Sequence, residues 1–275
     1  LRQLFLGSEG TLGIITRVRV RLHPLPEMKR YEAFSFSDFR SGVNAVREVI
    51  QQGTGPTVIR LSDDIESSLN LSSTDKIGET KKEEKGCLCL TMYEGTPEHT
   101  ASRLQEPREL LIKMGGVSLG EAPVRQWEQG RFGAPVLRDA LLDNGVICET
   151  LETAGDWSNL PKLRQAVVEA LTTNLEGTPA IVMCHVSHVY AEGASLYFTI
   201  VAAQSAHPHE QWWKAKEATC RAIEANGGTI THHHGVGTDH RPYMEQEIGD
   251  LGVQILHAVK AELDPVGILN PGKLF

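Results

Sequence analysis

Three consecutive histidines, His232, His233 and His234, follow Asn226-Gly227-Gly228-Thr229-Ile230-Thr231 and run into Gly235-Val236-Gly237. Imidazole changes charge near neutral pH, so such a cluster can move protons, hold an anion as imidazolium, or ligate a metal. The flanking glycines let backbone approach a ligand closely. Read as the end of a β-strand, the run sends His232 and His234 to one face and His233 to the other. Those alternating faces, with no Glu-containing zinc motif nearby, count against a zinc hydrolase, so the expected metal set is empty. Glu149 and Glu152 flank Thr150 on a strand and share one side only if the strand is irregular, which makes them a poor acid/base pair.

The elements that must position these residues are read from periodicity. Residues 14–22 alternate Ile14, Thr16, Val18, Val20 and Leu22 with polar positions, the pattern of a strand with one apolar face, ended by Pro24 and Pro26. Next come an alternating segment at 31–36, a helix over 39–51 and a strand at 57–61. A compact strand follows at 87–93, and Pro107 argues against a continuous helix behind it. Residues 70–85 read as a mobile, solvated loop with the run Lys81-Lys82-Glu83-Glu84-Lys85. A helix over 162–175, strands at 180–189 and 195–202, and a helix over 210–226 lead to the histidines. Ile248, Leu251, Ile255, Leu256, Val259 and Leu263 mark one further amphipathic helix. The predicted class is α+β, an antiparallel sheet flanked by helices. Trp212-Trp213 reads as packing; Trp127, Arg131 and Phe132 fit a pocket lining or helix packing equally well.

Composition bounds the function. The 275 residues are 40% hydrophobic and 23% charged, with a formal net charge of −8. That balance argues against general affinity for nucleic acid or an anionic membrane and leaves room for a local basic pocket. No stretch approaches the roughly 18 consecutive apolar residues of a spanning helix. Five cysteines fit neither a zinc pattern nor a disulfide framework, so a reducing, cytoplasmic setting is expected. The chain begins at Leu1 in a segment that already reads as ordered, the expectation for a piece of a longer polypeptide.

GSEGTLGIITRVRVRLHPLP near the start, HHHGVG late and DPVGILNPGK at the end resemble the second half of a flavoenzyme of the vanillyl-alcohol oxidase type. HHHGVG, Leu137-Arg138-Asp139 and Ser187-His188-Val189-Tyr190 are more similar to its alkyldihydroxyacetonephosphate synthase branch than to the D-lactate and glycolate dehydrogenases. The resemblance implies an FAD enzyme in which Gly7, Ser8, Glu9, Gly10, Thr11, Gly13, Ile14 and Ile15 line the flavin. It further implies Tyr190 as an active-site tyrosine, Arg138 as an arginine near the flavin ring, and His232, His233 and His234 on the pocket wall. Implied too are the domain limits: the end of an FAD-binding domain over 1–27, a substrate-capping domain over 28–226, and a histidine-bearing C-terminal segment over 227–275. The implied reaction replaces the acid of acyl-dihydroxyacetone phosphate by a fatty alcohol through a flavin–substrate adduct, in an ether-lipid pathway and with a homodimer as expected assembly. The chain alone, without the missing N-terminal FAD-binding domain, is expected to be inactive. A departure is that Ala191-Glu192 follows Tyr190 where the synthases carry Asp-Ala. A tyrosine base near pKa 10 needs help from a neighbouring cation such as Arg138 or a protonated histidine. Three alternatives remain open on the residues: a 2-hydroxy-acid dehydrogenase or oxidase with FAD, a zinc hydrolase, and a flavin-free binding module.

Overall fold

The computed structural model describes residues 1–70, 86–132, 134–175 and 180–275. Its strands are β1 (Met28–Phe36), β2 (Val58–Ser62), β3 (Cys87–Gly95), β4 (Val117–Gly120), β5 (Val146–Asp156), β6 (Ala180–Val189) and β7 (Gly193–Ala203). They form one seven-stranded sheet in the order β4-β1-β3-β2-β6-β7-β5, with antiparallel pairing between neighbours. The helices are α1 (Arg2–Phe5), α2 (Phe39–Gln51), α3 (Asp64–Asn70), α4 (Pro97–Lys113), α5 (Ala122–Gly130), α6 (Ala134–Asp143), α7 (Leu160–Asn174), α8 (Pro208–Ala225) and α9 (Met244–Leu263). This is the expected α+β class, an antiparallel sheet flanked by helices.

Local chemistry explains the best-defined elements. Asp38 caps α2 by accepting the Ser41 N–H at 2.8 Å, and Phe39, Val43, Val46 and Val49 form its buried stripe. That stripe joins Leu111 of α4, Leu163, Val167 and Leu171 of α7, and Ala215 and Ile223 of α8 over one face of the sheet. Leu61, Cys89, Cys184, Val186, Leu196 and Phe198 meet them from the strands. On the opposite face, Tyr31, Ala33, Leu88, Leu90 and Met92 pack under Val124 of α5 at one end.

Four expectations are corrected. Residues 14–22 form no strand: Val20 is 70% and Leu22 84% exposed, and the segment has no ladder partner among the described residues. The alternation marks a face that needs cover, and a strand also needs a neighbour for its backbone groups. The histidines end no strand either, and lie in a series of bends after α8. Helix α4 runs through Pro107, whose ring is buried with Thr100 and Leu111, so packing outweighs the lost N–H. The single helix expected over 248–263 is broken inside α9 at Gly249, with φ 75° and ψ 160°. The charge run at 81–85 and the loop around it lie outside the described residues.

Candidate active site

Strand β5 carries Glu152 directly opposite Tyr197 of β7, and Tyr197 lies opposite His185 of β6. The three therefore form one cross-strand row on the face that the α7 and α8 helices leave open. Beyond it the β6–β7 ladder shifts register between Val186 and Val189. A bulge of this kind re-aims side chains, and here it brings Ser187 and His188 to the Glu152 carboxylate. Ser187 Oγ donates to Glu152 Oε1, and His188 Nδ1 lies 3.4 Å from the same oxygen.

The histidine loop closes over this row. Thr229 N–H donates to Ala154 O and His232 N–H to Glu152 O, so the segment is pinned to the end of β5. His234 N–H donates to His232 O at 2.6 Å, a three-residue turn centred on His233, whose φ is +43°. A non-glycine residue rarely adopts that conformation, and strain of this kind clusters at functional sites. The turn cancels the alternation expected of a strand: His232 Nδ1 lies 3.1 Å from Glu152 Oε1, while His233 Nε2 and His234 Nε2 lie 2.9 and 3.2 Å from Oε2. All three imidazoles face one buried carboxylate. Oε2 nevertheless lacks an in-line hydrogen bond. Donor atoms of Glu152, His188, His232 and His233 lie within 4.8 Å of one another, a spacing that a metal ion could bridge.

Tyr190, in the turn after β6, has its hydroxyl 2.9 Å from His232 Nε2. Its neighbours fix the turn: Trp157 Nε1 donates to Tyr190 O, and Tyr190 N–H to Gly193 O. Tyr190 also lines a cleft of about 560 Å³ together with Asp156, Glu192, Glu224 and Glu247. Burial pushes the Glu152 carboxyl up, but hydrogen bonds from Ser187 and Ser195 and the charges of His233 and His232 outweigh it and leave it lowered. Burial lowers His232 and His234 against the opposing pull of Glu152, which favours their neutral forms.

A second junction ties the N-terminal turn to this loop. Glu9 accepts N–H bonds from Val236 and Gly237, at 2.9 Å between Gly237 N and Oε2. Gly235, with φ +86°, would bring a Cβ to 3.1 Å from Glu9 Oε1, so both conformation and contact call for glycine there. Asn270 Nδ2 donates to Glu9 O, and Lys260 Nζ of α9 to Thr11 O. Ser8 and Thr11 are buried, with hydroxyls donating to Phe5 O and Ser8 O. The side chains of Ser8, Glu9 and Thr11 thus serve internal bonds. Gly7 and Gly10 keep open backbone, and Ile14 and Ile15 are exposed.

Of the residues expected at the site, Tyr190, His232, His233 and His234 converge. Arg138 does not join them: it pairs with Glu149 at 2.7 Å and lies 3.7 Å from Asp139. Glu149 and Glu152 are three residues apart on β5 and so point to opposite faces. Sequence reasoning set Glu152 aside together with Glu149, quoted Ser187 and His188 only as part of the motif ending in Tyr190, and missed Ser195. The available signal was a carboxylate amid the apolar and β-branched residues of a strand, in a chain with adjacent histidines.

Residues 25–274 match the family of FAD linked oxidases, C-terminal domain. An alkyldihydroxyacetonephosphate synthase of Caenorhabditis elegans is 30% identical over 298 residues, covering 100% of this chain and 50% of that protein. One from Dictyostelium discoideum is 29% identical, covering 99% and 48%. A solved alkyldihydroxyacetonephosphate synthase superposes with a TM-score of 0.75 at 27% identity, over 98% of this chain and 49% of that one. The chain spans about half the length of the curated relatives it matches. It belongs to the family of FAD-linked oxidase C-terminal domains.

Proposed function

We propose that this domain forms the substrate side of an FAD-dependent active site in a longer flavoprotein, with the activity of an alkyldihydroxyacetonephosphate synthase. In that reaction the fatty acid of an acyl-dihydroxyacetone phosphate leaves, a fatty alcohol takes its place, and there is no net redox change. The observation that carries the proposal is the pairing of Tyr190 Oη with His232 Nε2 beside further imidazoles. A phenol has an ordinary pKa near 10 and becomes a base at neutral pH only with an acceptor for its proton. His232 is that acceptor.

The N-terminal turn fits an FAD edge in part. Gly7 and Gly10 have positive φ and no atom closer than 3.9 Å to where a Cβ would stand, so their backbone is open to approach. Ile14 and Ile15 are exposed beside them. When bound, FAD supplies the electron sink this chemistry requires. The chain's own residues offer the substrate two regions beside Tyr190. Asp156, Glu192, Glu224 and Glu247 make the cleft unfavourable for a phosphate. The half-exposed imidazoles of His188 and His233, which pack against His232, offer an anionic headgroup a cationic surface when protonated.

The test uses the full-length flavoprotein and labelled fatty alcohol, followed into ether product. Turnover of acyl-dihydroxyacetone phosphate is expected, and Tyr190→Phe should lower it by about 10²-fold while flavin absorbance is retained. Oxidation of a 2-hydroxy acid with no ether product would assign the other FAD chemistry instead. A full-length protein that purifies without flavin would sink both.

A further inference from the structure

We infer that Glu152 is a positioning residue for the reaction proposed above: its carboxylate holds His232 in the tautomer whose Nε2 takes the proton of Tyr190. The inference rests on that reading for its substrate and on hydrogen-bond chemistry for its logic. A carboxylate only accepts, so the 3.1 Å contact between Glu152 Oε1 and His232 Nδ1 requires the proton on Nδ1. Neutral His232 then carries its lone pair on Nε2, and the Tyr190 hydroxyl 2.9 Å away must be the donor.

Glu152 is built to hold that arrangement. Its side chain is 0% exposed, and Ser187 Oγ donates to Oε1 while lying 2.8 Å from Ser195 Oγ. The same residue also grips His232 by the backbone, its C=O accepting the His232 N–H at 3.1 Å. Two bonds from one residue, one by backbone and one by side chain, fix both the place and the rotation of the ring. A partner of this kind orients an imidazole without being consumed.

The step balances. The O–H bond of Tyr190 breaks and an N–H bond forms at Nε2; the phenolate then takes a proton from the carbon beside the substrate carbonyl. The electron pair of that C–H bond spreads onto the carbonyl oxygen, and no electrons leave the system. His232 becomes an imidazolium whose charge lies against the Glu152 carboxylate in a buried position, where an opposite charge is worth most. His188, His233 and His234 face the same carboxylate and share its field.

The experiment combines a substrate-free and a kinetic measurement on the full-length flavoprotein. Nitrogen-15 NMR of labelled histidine side chains should show His232 protonated at Nδ1 and bare at Nε2. Glu152→Gln, which keeps shape and removes charge, should lower kcat by about 10²-fold with KM little changed. In a Tyr190→Phe background the same substitution should have almost no further effect, because a residue acting through Tyr190 has nothing left to act on. A merely structural carboxylate would instead lower kcat additively. Should Glu152→Gln not accumulate, Glu152→Asp keeps the charge and stretches the contact, and a loss of about tenfold in kcat is expected. The inference is overturned by an Nε2-protonated His232, by additive losses in the double variant, or by wild-type kcat in Glu152→Asp. Stoichiometric divalent metal held by the wild type and lost in Glu152→Gln would also overturn it, since Glu152 would then be a ligand. A correct tautomer in an enzyme that makes no ether product refutes the substrate reading and leaves the tautomer standing.

Discussion

The two halves of the sheet share one covered face and differ on the other. Under β1 and β3, Ala33 and Leu90 are paired neighbours sealed by Val124 of α5, so both faces of the sheet are dry. Across β5, β7 and β6 the covered face is just as apolar, with Leu151, Phe198 and Cys184 in one row. The adjacent row on the other face reads Glu152, Tyr197 and His185. One residue of register separates core from chemistry. The first half seals its second face with apolar side chains, and the second half covers the same face with the histidine loop and with Glu66 of α3, so that its buried row is polar.

The largest test of the contrast swaps neighbours on β7. Phe198 is fully buried among the helices, and Phe198→Ala should cost about 3–5 kcal/mol through lost transfer energy and a residual cavity. Tyr197→Phe, one position along and on the open face, should change stability by less than about 1 kcal/mol. Denaturant unfolding of both variants reads the difference. Equal losses would mean that the second face is covered as tightly as the first.

A smaller effect follows from titration. Burial lowers His185 below its ordinary 6.5, against the hydrogen bond it donates to Glu66, with Arg60 adding to the lowering and Glu152 opposing it. His185 also stacks on Tyr197 at 4.9 Å. For a group with a depressed folded pKa, the unfolded chain binds the proton first, so stability is full above 6.5 and declines as pH falls through the folded value. Burial raises the Glu66 carboxyl, but bonds and charge from His185 and Arg60 hold it down at about 2, which opens a second loss of the same sign between its ordinary 4.5 and that value. The denaturation midpoint should therefore fall on acidification from pH about 7 to about 5, and His185→Gln should flatten that fall. An unchanged slope in the variant would show that His185 titrates alike in folded and unfolded chains.

Legibility followed the same division. Helix α2 and strand β6 were readable to the residue, because a capped amphipathic stripe and a dense apolar run report burial directly. The segment at 14–22 has a strand's alternation and no partner, so the pattern was true of the side chains and false of the backbone. At the site, Tyr190 and the three histidines were legible through motifs. Their convergence was not, since it depends on a positive φ at His233 and on Glu152, which lies 80 residues away from His232 in sequence. No periodicity encodes a single strained residue, or a contact made between a strand and a distant loop.

Arg138 gives the finest test, because the motif and the geometry point in different directions. The resemblance implies an arginine near the flavin ring. The structure places it on α6, its side chain 44% exposed and paired with Glu149, on the other face of β5 from Glu152. An exposed pair of this kind contributes about 0–1 kcal/mol, so Arg138→Gln should barely move the unfolding midpoint. If the pair is its whole role, kcat/KM in the full-length flavoprotein should change by less than about threefold, well under 1 kcal/mol of transition-state stabilisation. A loss of about tenfold or more at unchanged stability would bring Arg138 to the substrate when the rest of the protein is in place. The open face would then draw its charge from a helix that the isolated domain holds against the covered side.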